Sequence, residues 1–191
     1  MRAQGWERFS EDSSVDPAAV IGFWREAGPD RWFKKDEAFD RAIRERFSAT
    51  YGRAAKGRLD DWAGSADGAL ALVILLDQFP RNMFRGDARS FATDPKALAI
   101  AKQALARGDA STVAPDLAPF LAMPLMHSED LADQQACVDW MRRIGPNNVR
   151  YAEEHRDIIA RFGRFPHRNP MLGRQTSEDE RRFLEEGGFA G

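Results

Sequence analysis

A chain of 191 residues with 43% hydrophobic and 30% charged side chains has the composition of one globular domain with a sizeable core. Its net charge of −2 gives no global attraction to nucleic acid or an anionic bilayer, and its longest apolar run, Ala69 to Leu76, is too short to span a membrane. A single cysteine, Cys137, excludes an internal disulfide and any multi-cysteine metal site, and the opening residues Met1 to Glu7 lack the apolar stretch of a secretory leader, so the expected compartment is the cytoplasm.

Asp16-Pro17 has the form of a cap followed by proline in the first helical turn, which predicts a short helix to about Ala27, closed by Gly28-Pro29. Trp32-Phe33 reads as an aromatic linker. Asp36 then caps a longer helix in which Phe39, Ile43, Phe47 and Tyr51 recur every four residues and form one apolar stripe. A break near Gly57 leads through Leu59 and Trp62 to Gly64. Ser65 or Asp67 opens the next helix, whose run Ala69 to Leu76 is apolar around its whole circumference and belongs at the centre of the fold. A buried strand is the rival reading; the alanines and the lack of any alternating partner favour the helix.

Thr93-Asp94-Pro95 starts a helix that Gly108 closes. The stretch from Asp109 to Pro124 holds one short helix around Phe120. Ser128 is placed to cap a helix from Glu129 to about Ile144, with Cys137 in apolar step with Trp140 and Met141. Asn147 or Asn148 caps the following helix, which carries Tyr151, Ala152, His155, Ile158, Ile159 and Phe162 on one face. Thr176 and Ser177, each with an acid three residues on, form overlapping capping boxes before a final short helix. No segment alternates with period two. The expectation is a single all-α domain over 1–191, with eight to nine helices in stacked antiparallel pairs of the tetratricopeptide-like kind.

One cluster occurs twice, 86 positions apart: Asp77-Gln78-Phe79-Pro80-Arg81-Asn82-Met83-Phe84-Arg85-Gly86 and Arg164-Phe165-Pro166-His167-Arg168-Asn169-Pro170-Met171. In each, Phe-Pro is expected to stop a helix with the Phe extended, fixing guanidinium and carboxamide groups in a turn. Arg81, Asn82, Arg85, Arg164, Arg168 and Asn169, with His155, are the candidate ligand-binding residues, because paired guanidinium forks suit phosphate or carboxylate. Asp77 sits at the end of the most apolar helix and needs a partner, since an unpaired carboxylate there is costly. His127 or His167, polarised by Asp77 or Glu129, are the candidate acid–base groups. Ser128 fits a cap better than a nucleophile.

Three histidines with acids nearby offer metal-ligand types, but their spacing matches no metal motif, and His155 lies on an apolar stripe as a core histidine does. No metal, cofactor or nucleic-acid partner is therefore expected.

The strings Trp32-Phe33-x-x-Asp36-x-x-Phe39-Asp40-x-x-Ile43, Leu75-Leu76-Asp77-Gln78-Phe79-Pro80-Arg81-Asn82, Pro124-Leu125-Met126-His127-Ser128-Glu129-Asp130 and His155-Arg156-Asp157-Ile158-Ile159-x-Arg161-Phe162-Gly163-Arg164-Phe165-Pro166-His167-Arg168-Asn169 together resemble a largely bacterial family known as domain of unknown function 924. The resemblance runs from about Asp16 to Leu184. It implies an all-α, tetratricopeptide-like fold and brings no reaction, cofactor or catalytic residue. Three readings follow from the residues: a pocket for a small anionic metabolite, a groove for a peptide or protein partner, and motifs that serve architecture alone. No motif names a reaction or sets an oligomeric state.

Overall fold

The computed structural model describes residues 15–189, and the leader reading of Met1 to Glu7 lies outside them. Asp16 accepts a hydrogen bond from the Ala19 amide and Pro17 fills the first turn, so helix α1 runs Pro17–Ala27 as its cap dictates. The expected linker at Trp32 is instead a helical turn, α2 (Pro29–Trp32). The Trp32 indole donates to the Trp24 carbonyl at 2.6 Å and stacks on the Trp24 ring, which ties the turn to α1. Asp36 caps α3 (Glu37–Ala55), and Phe39, Ile43 and Phe47 are buried along its stripe.

A 3₁₀ turn (Asp60–Gly64) leads to α4 (Ala66–Val73), capped by the Ser65 hydroxyl. Here Gly68 is dictated by close approach: a Cβ at that position would lie 1.9 Å from the Trp62 carbonyl oxygen. Gly68→Ala is expected to lower stability by about 2 kcal/mol through overpacking, as measured by chemical denaturation. An unchanged midpoint would show that the turn can withdraw.

The central run departs from expectation in an informative way. Instead of stopping at Phe79-Pro80, α4 passes through a π-helical turn (Ile74–Gln78) directly into α5 (Phe79–Met83), and Phe79 is helical at φ −59°, ψ −39°. The Phe79 amide reaches back to the Ile74 carbonyl. Pro80 has no N–H to offer the Leu76 carbonyl, and the Thr93 hydroxyl donates to that oxygen instead, at 2.6 Å. A borrowed donor lets the helix survive its proline.

Thr93 therefore precedes α6 (Asp94–Arg107) without capping it, and Gly108 closes α6 in the left-handed region at φ +86°. The one short helix expected around Phe120 is a 3₁₀ turn (Ala118–Ala122) continued by α7 (Met123–Met126), with a further 3₁₀ turn at Asp109–Ser111. Helix α8 (Leu131–Ile144) is capped by Asp130 rather than Ser128, whose hydroxyl bonds Asp133. Asn148 precedes α9 (Val149–Phe162) with no side-chain cap, and α8 and α9 pack as a hairpin. A 3₁₀ turn (Pro166–Arg168) and α10 (Glu178–Glu185) follow; of the two overlapping capping boxes, Ser177–Glu180 forms.

Among the described residues the regular structure is helical throughout, and with the α4–π–α5 run taken as one helix the α-helices number nine. The main core surrounds α4, whose residues from Gly68 onward are all buried. A second, smaller core joins Ile158, Ile159 and Phe165 to Phe162, Phe183 and Phe189. Among the described residues no helix is long and apolar enough to cross a membrane.

Candidate functional site

The π turn places Asp77, fully buried, at the meeting point of three segments. From α7, His127 Nδ1 approaches both Asp77 carboxylate oxygens, at 2.8 and 3.0 Å. A carboxylate only accepts, so Nδ1 carries the proton and the neutral imidazole keeps its lone pair on Nε2. From α5, Arg81 pairs with Asp77 at 3.2 Å in i,i+4 geometry and also bonds its carbonyl. A helix stopped at Pro80 would lose that spacing; the unbroken helix preserves it. Gln78 completes the carboxylate's shell at 2.5 Å.

Asp94, in the first turn of α6, extends the cluster. Arg81 binds it through both terminal nitrogens, at 3.0 and 2.9 Å, while Arg168 of the second Phe-Pro segment lies 3.6 Å from the same carboxylate. Asp94 is thus the joint at which the two similar sequence clusters meet. Arg168 is buried between Phe91 and Phe165, its guanidinium carbon 4.6 and 4.5 Å from the ring centroids.

Charge within this cluster is governed by competing burial and pairing. Burial pushes the Asp77 carboxyl up, but Arg81, His127 and Gln78 together outweigh it and hold the group down at about 2. Burial, with Arg81 adding to it, pushes the His127 imidazole below its ordinary value against the pull of Asp77. Asp94 is shifted upward, chiefly by burial and partly by Asp77, despite Arg81. Burial and the nearby Arg81 bring Arg168 down to about 10, although Asp94 opposes them. At neutral pH the cluster holds two arginine cations, the Asp77 carboxylate and an uncharged His127, with Asp94 shifted toward its protonated form.

The other candidates divide between this cluster and separate duties. Asn82 donates to Asp40 at 2.8 Å and Arg85 grips the same carboxylate twice at 2.9 Å, so both tie α5 to α3. Arg164 binds Glu180 at 2.6 and 2.8 Å and Asn169 reaches Glu180 at 3.2 Å, which anchors α10. Glu129 does not touch His127; it accepts from the Phe165 amide and from Arg174. His155 donates to the Tyr151 carbonyl at 2.8 Å, as a core histidine does, and lies with His167 beside Phe165 rather than at Asp77.

Two surface clefts, of about 580 and 480 Å³, lie at Arg164–Arg174 and at Arg44–Arg85; neither is lined by Asp77 or His127. Among the described residues no three His, Cys, Asp or Glu side chains are grouped to hold a metal ion. Sequence reasoning missed Asp94, Thr93 and Gln134. Gln134, wholly buried, donates to the carbonyls of Met126 and Ser128 at 2.6 and 2.7 Å and so staples the turn that carries His127. Thr93-Asp94-Pro95 signals a helix start, and nothing local shows that both polar side chains face the π turn instead.

The fold and cluster define a class: an all-α protein with an Asp–His pair and two arginines embedded at the end of its central helix. The chain belongs to the family described as bacterial protein of unknown function, DUF924, whose profile matches residues 20–188. It is similar to a solved structure, that of the protein of unknown function ATU0120 from Agrobacterium tumefaciens. The two share 49% identity and a TM-score of 0.87, over 90% of this chain and 97% of that one. Comparison with curated proteins gave no significant match.

Proposed function

We propose that the protein acts on a small ligand bearing a carboxylate or phosphate, with His127 as the acid–base group and Arg168 as the anion anchor. The Asp77–His127 contact carries this reading. Asp77 fixes the Nδ1–H tautomer and ring orientation, which aims the Nε2 lone pair away from the carboxylate. Nε2 has no hydrogen-bond partner among the described residues, and the imidazole keeps 15% of its surface exposed. Because burial favours its uncharged form, His127 is in the protonation state that a base requires at neutral pH.

Arg81 is saturated by Asp77 and Asp94 and serves to hold the carboxylates in place. Arg168 is different. Its one carboxylate contact among the described residues, at 3.6 Å, is longer than a hydrogen bond, and its buried Nε is unpartnered. It has donors to spare for an incoming anion.

A thermal-shift screen of metabolite carboxylates and phosphates tests the assignment. Stabilising ligands are expected, with the shift lost in Arg168→Gln but retained in His127→Ala, which binds without turning over. No shift from any panel member, or one indifferent to Arg168→Gln, would refute the anchor.

A further inference from the structure

We infer that Phe189 occupies, from within the chain, a seat for an aromatic monocarboxylate formed by Phe165, His155, His167 and Arg168. The inference rests on the reading of Arg168 as an anion anchor and adds the chemical class of the ligand. Each imidazole contacts both phenyl rings: His155 lies 5.5 Å from Phe165 and 4.5 Å from Phe189, and His167 lies 5.7 and 5.1 Å from the same two. Phe189 is therefore packed against two imidazoles, each of which also meets the Phe165 ring.

The polar chemistry around that seat does not suit a hydrocarbon occupant. The His167 Nδ1 and the Arg168 Nε are buried without partners. His155 uses Nδ1 on the Tyr151 carbonyl, and its Nε2 has no partner among the described residues. Orphaned buried nitrogens cost free energy that an acceptor-bearing ligand would recover. A phenyl group cannot do so. A ring of similar size carrying a carboxylate can fill the seat and present oxygens to Arg168.

Charge selects one negative charge over two. Arg168 is the single guanidinium with donors to spare and Asp77 and Asp94 lie close by, so a dianion would meet twice the repulsion that a monoanion meets. Phe189 is also the group best placed to leave. It is only partly buried, belongs to the smaller core, and follows Gly187, which turns the chain in the left-handed region at φ +86°. Its departure leaves the main core intact.

Isothermal titration of benzoate, with acetate as the ringless carboxylate, into the full chain and into Phe189→Ala tests the seat. Benzoate is expected to bind Phe189→Ala at least tenfold more tightly than the parent, with the gain abolished by adding Arg168→Gln. Acetate should gain nothing. Equal benzoate affinity in the two proteins, or a gain that survives Arg168→Gln, would overturn the inference. Benzoate bound no better than acetate by either protein, with both bound through Arg168, would sink the aromatic seat yet leave the anchor, whereas no carboxylate bound by either would remove both. Should Phe189→Ala fail to fold, the parent still decides. Benzoate, and not acetate, must shift the His155 and His167 ring C–H resonances in its proton NMR spectrum, and unmoved resonances would refute the seat.

Discussion

Acidification from pH 7 to pH 5 should weaken the fold steeply, because all three histidines are held uncharged in the native state. Burial is the leading cause at each: Arg81 reinforces it at His127, Arg168 at His155, and Arg168 and His155 together bring His167 down to about 3. The unfolded chain takes up protons on these rings near the ordinary histidine value, so it binds more protons than the native state below that pH. The stabilisation is complete above about pH 6.5 and is lost as pH falls toward each folded value. His167 alone contributes about 2 kcal/mol of this loss by pH 5. Carboxylates act lower down. Asp77 and Glu180, both held at about 2, give stability present above the ordinary carboxylate range and lost only as pH falls beneath it. Asp94, shifted upward, works in the opposite sense and above the ordinary carboxylate value, since the native state takes up its proton before the unfolded chain does as pH falls. Urea unfolding at pH 7.5 and pH 5 measures the effect, and His167→Gln should flatten it. Identical midpoints at both pH values would contradict the buried, neutral assignment.

Asp77→Leu should be among the most damaging single substitutions, at about 3 kcal/mol or more, because it strands part of the Arg81 charge and the His127 N–H around a fully buried position. Asp77→Asn keeps one acceptor and the side-chain shape, and should cost less. The two variants separate architecture from chemistry through the His127 ring nitrogens. In the parent, ¹⁵N NMR at neutral pH should show protonated Nδ1 and bare Nε2, whereas Asp77→Asn should lose that bias. A fully retained tautomer in Asp77→Asn would mean that Asp77 does not set the state of His127. A cost below 1 kcal/mol for Asp77→Leu would mean that the buried pair is not held as the geometry shows.

Much of this architecture was legible from residue pattern. Asp16-Pro17, Asp36, Ser65 and Ser177 cap as their chemistry dictates, and the apolar run from Ala69 is buried on every side. The need of Asp77 for a partner followed from its place in that run. What could not be read was the path of the chain through Phe79-Pro80, because the donor that rescues it, Thr93, sits 17 positions from the Leu76 carbonyl it serves, in a segment whose local signal is a helix cap. The partner of His127 was ambiguous for the same kind of reason. Glu129 was near in sequence and Asp77 was not, and only packing decides between them. The two similar clusters also diverge: Phe79 is helical, whereas Phe165 is extended at ψ 109°, as Phe-Pro favours. Asn82 and Arg85 serve one joint of the scaffold, and Arg164 and Asn169 another, so similar strings came to different employment.

The wide turn at Ile74–Gln78 makes the geometry of the Asp77 cluster sensitive to a change that alters no side-chain chemistry. Straightening that turn into ordinary coiling at unchanged length would swing everything before it by about 100° relative to everything after it. Asp77 and Arg81 would then no longer address the same neighbours as the apolar face that buries them. The manner of coiling, at this one place, is as much a determinant of the site as the identity of any group within it.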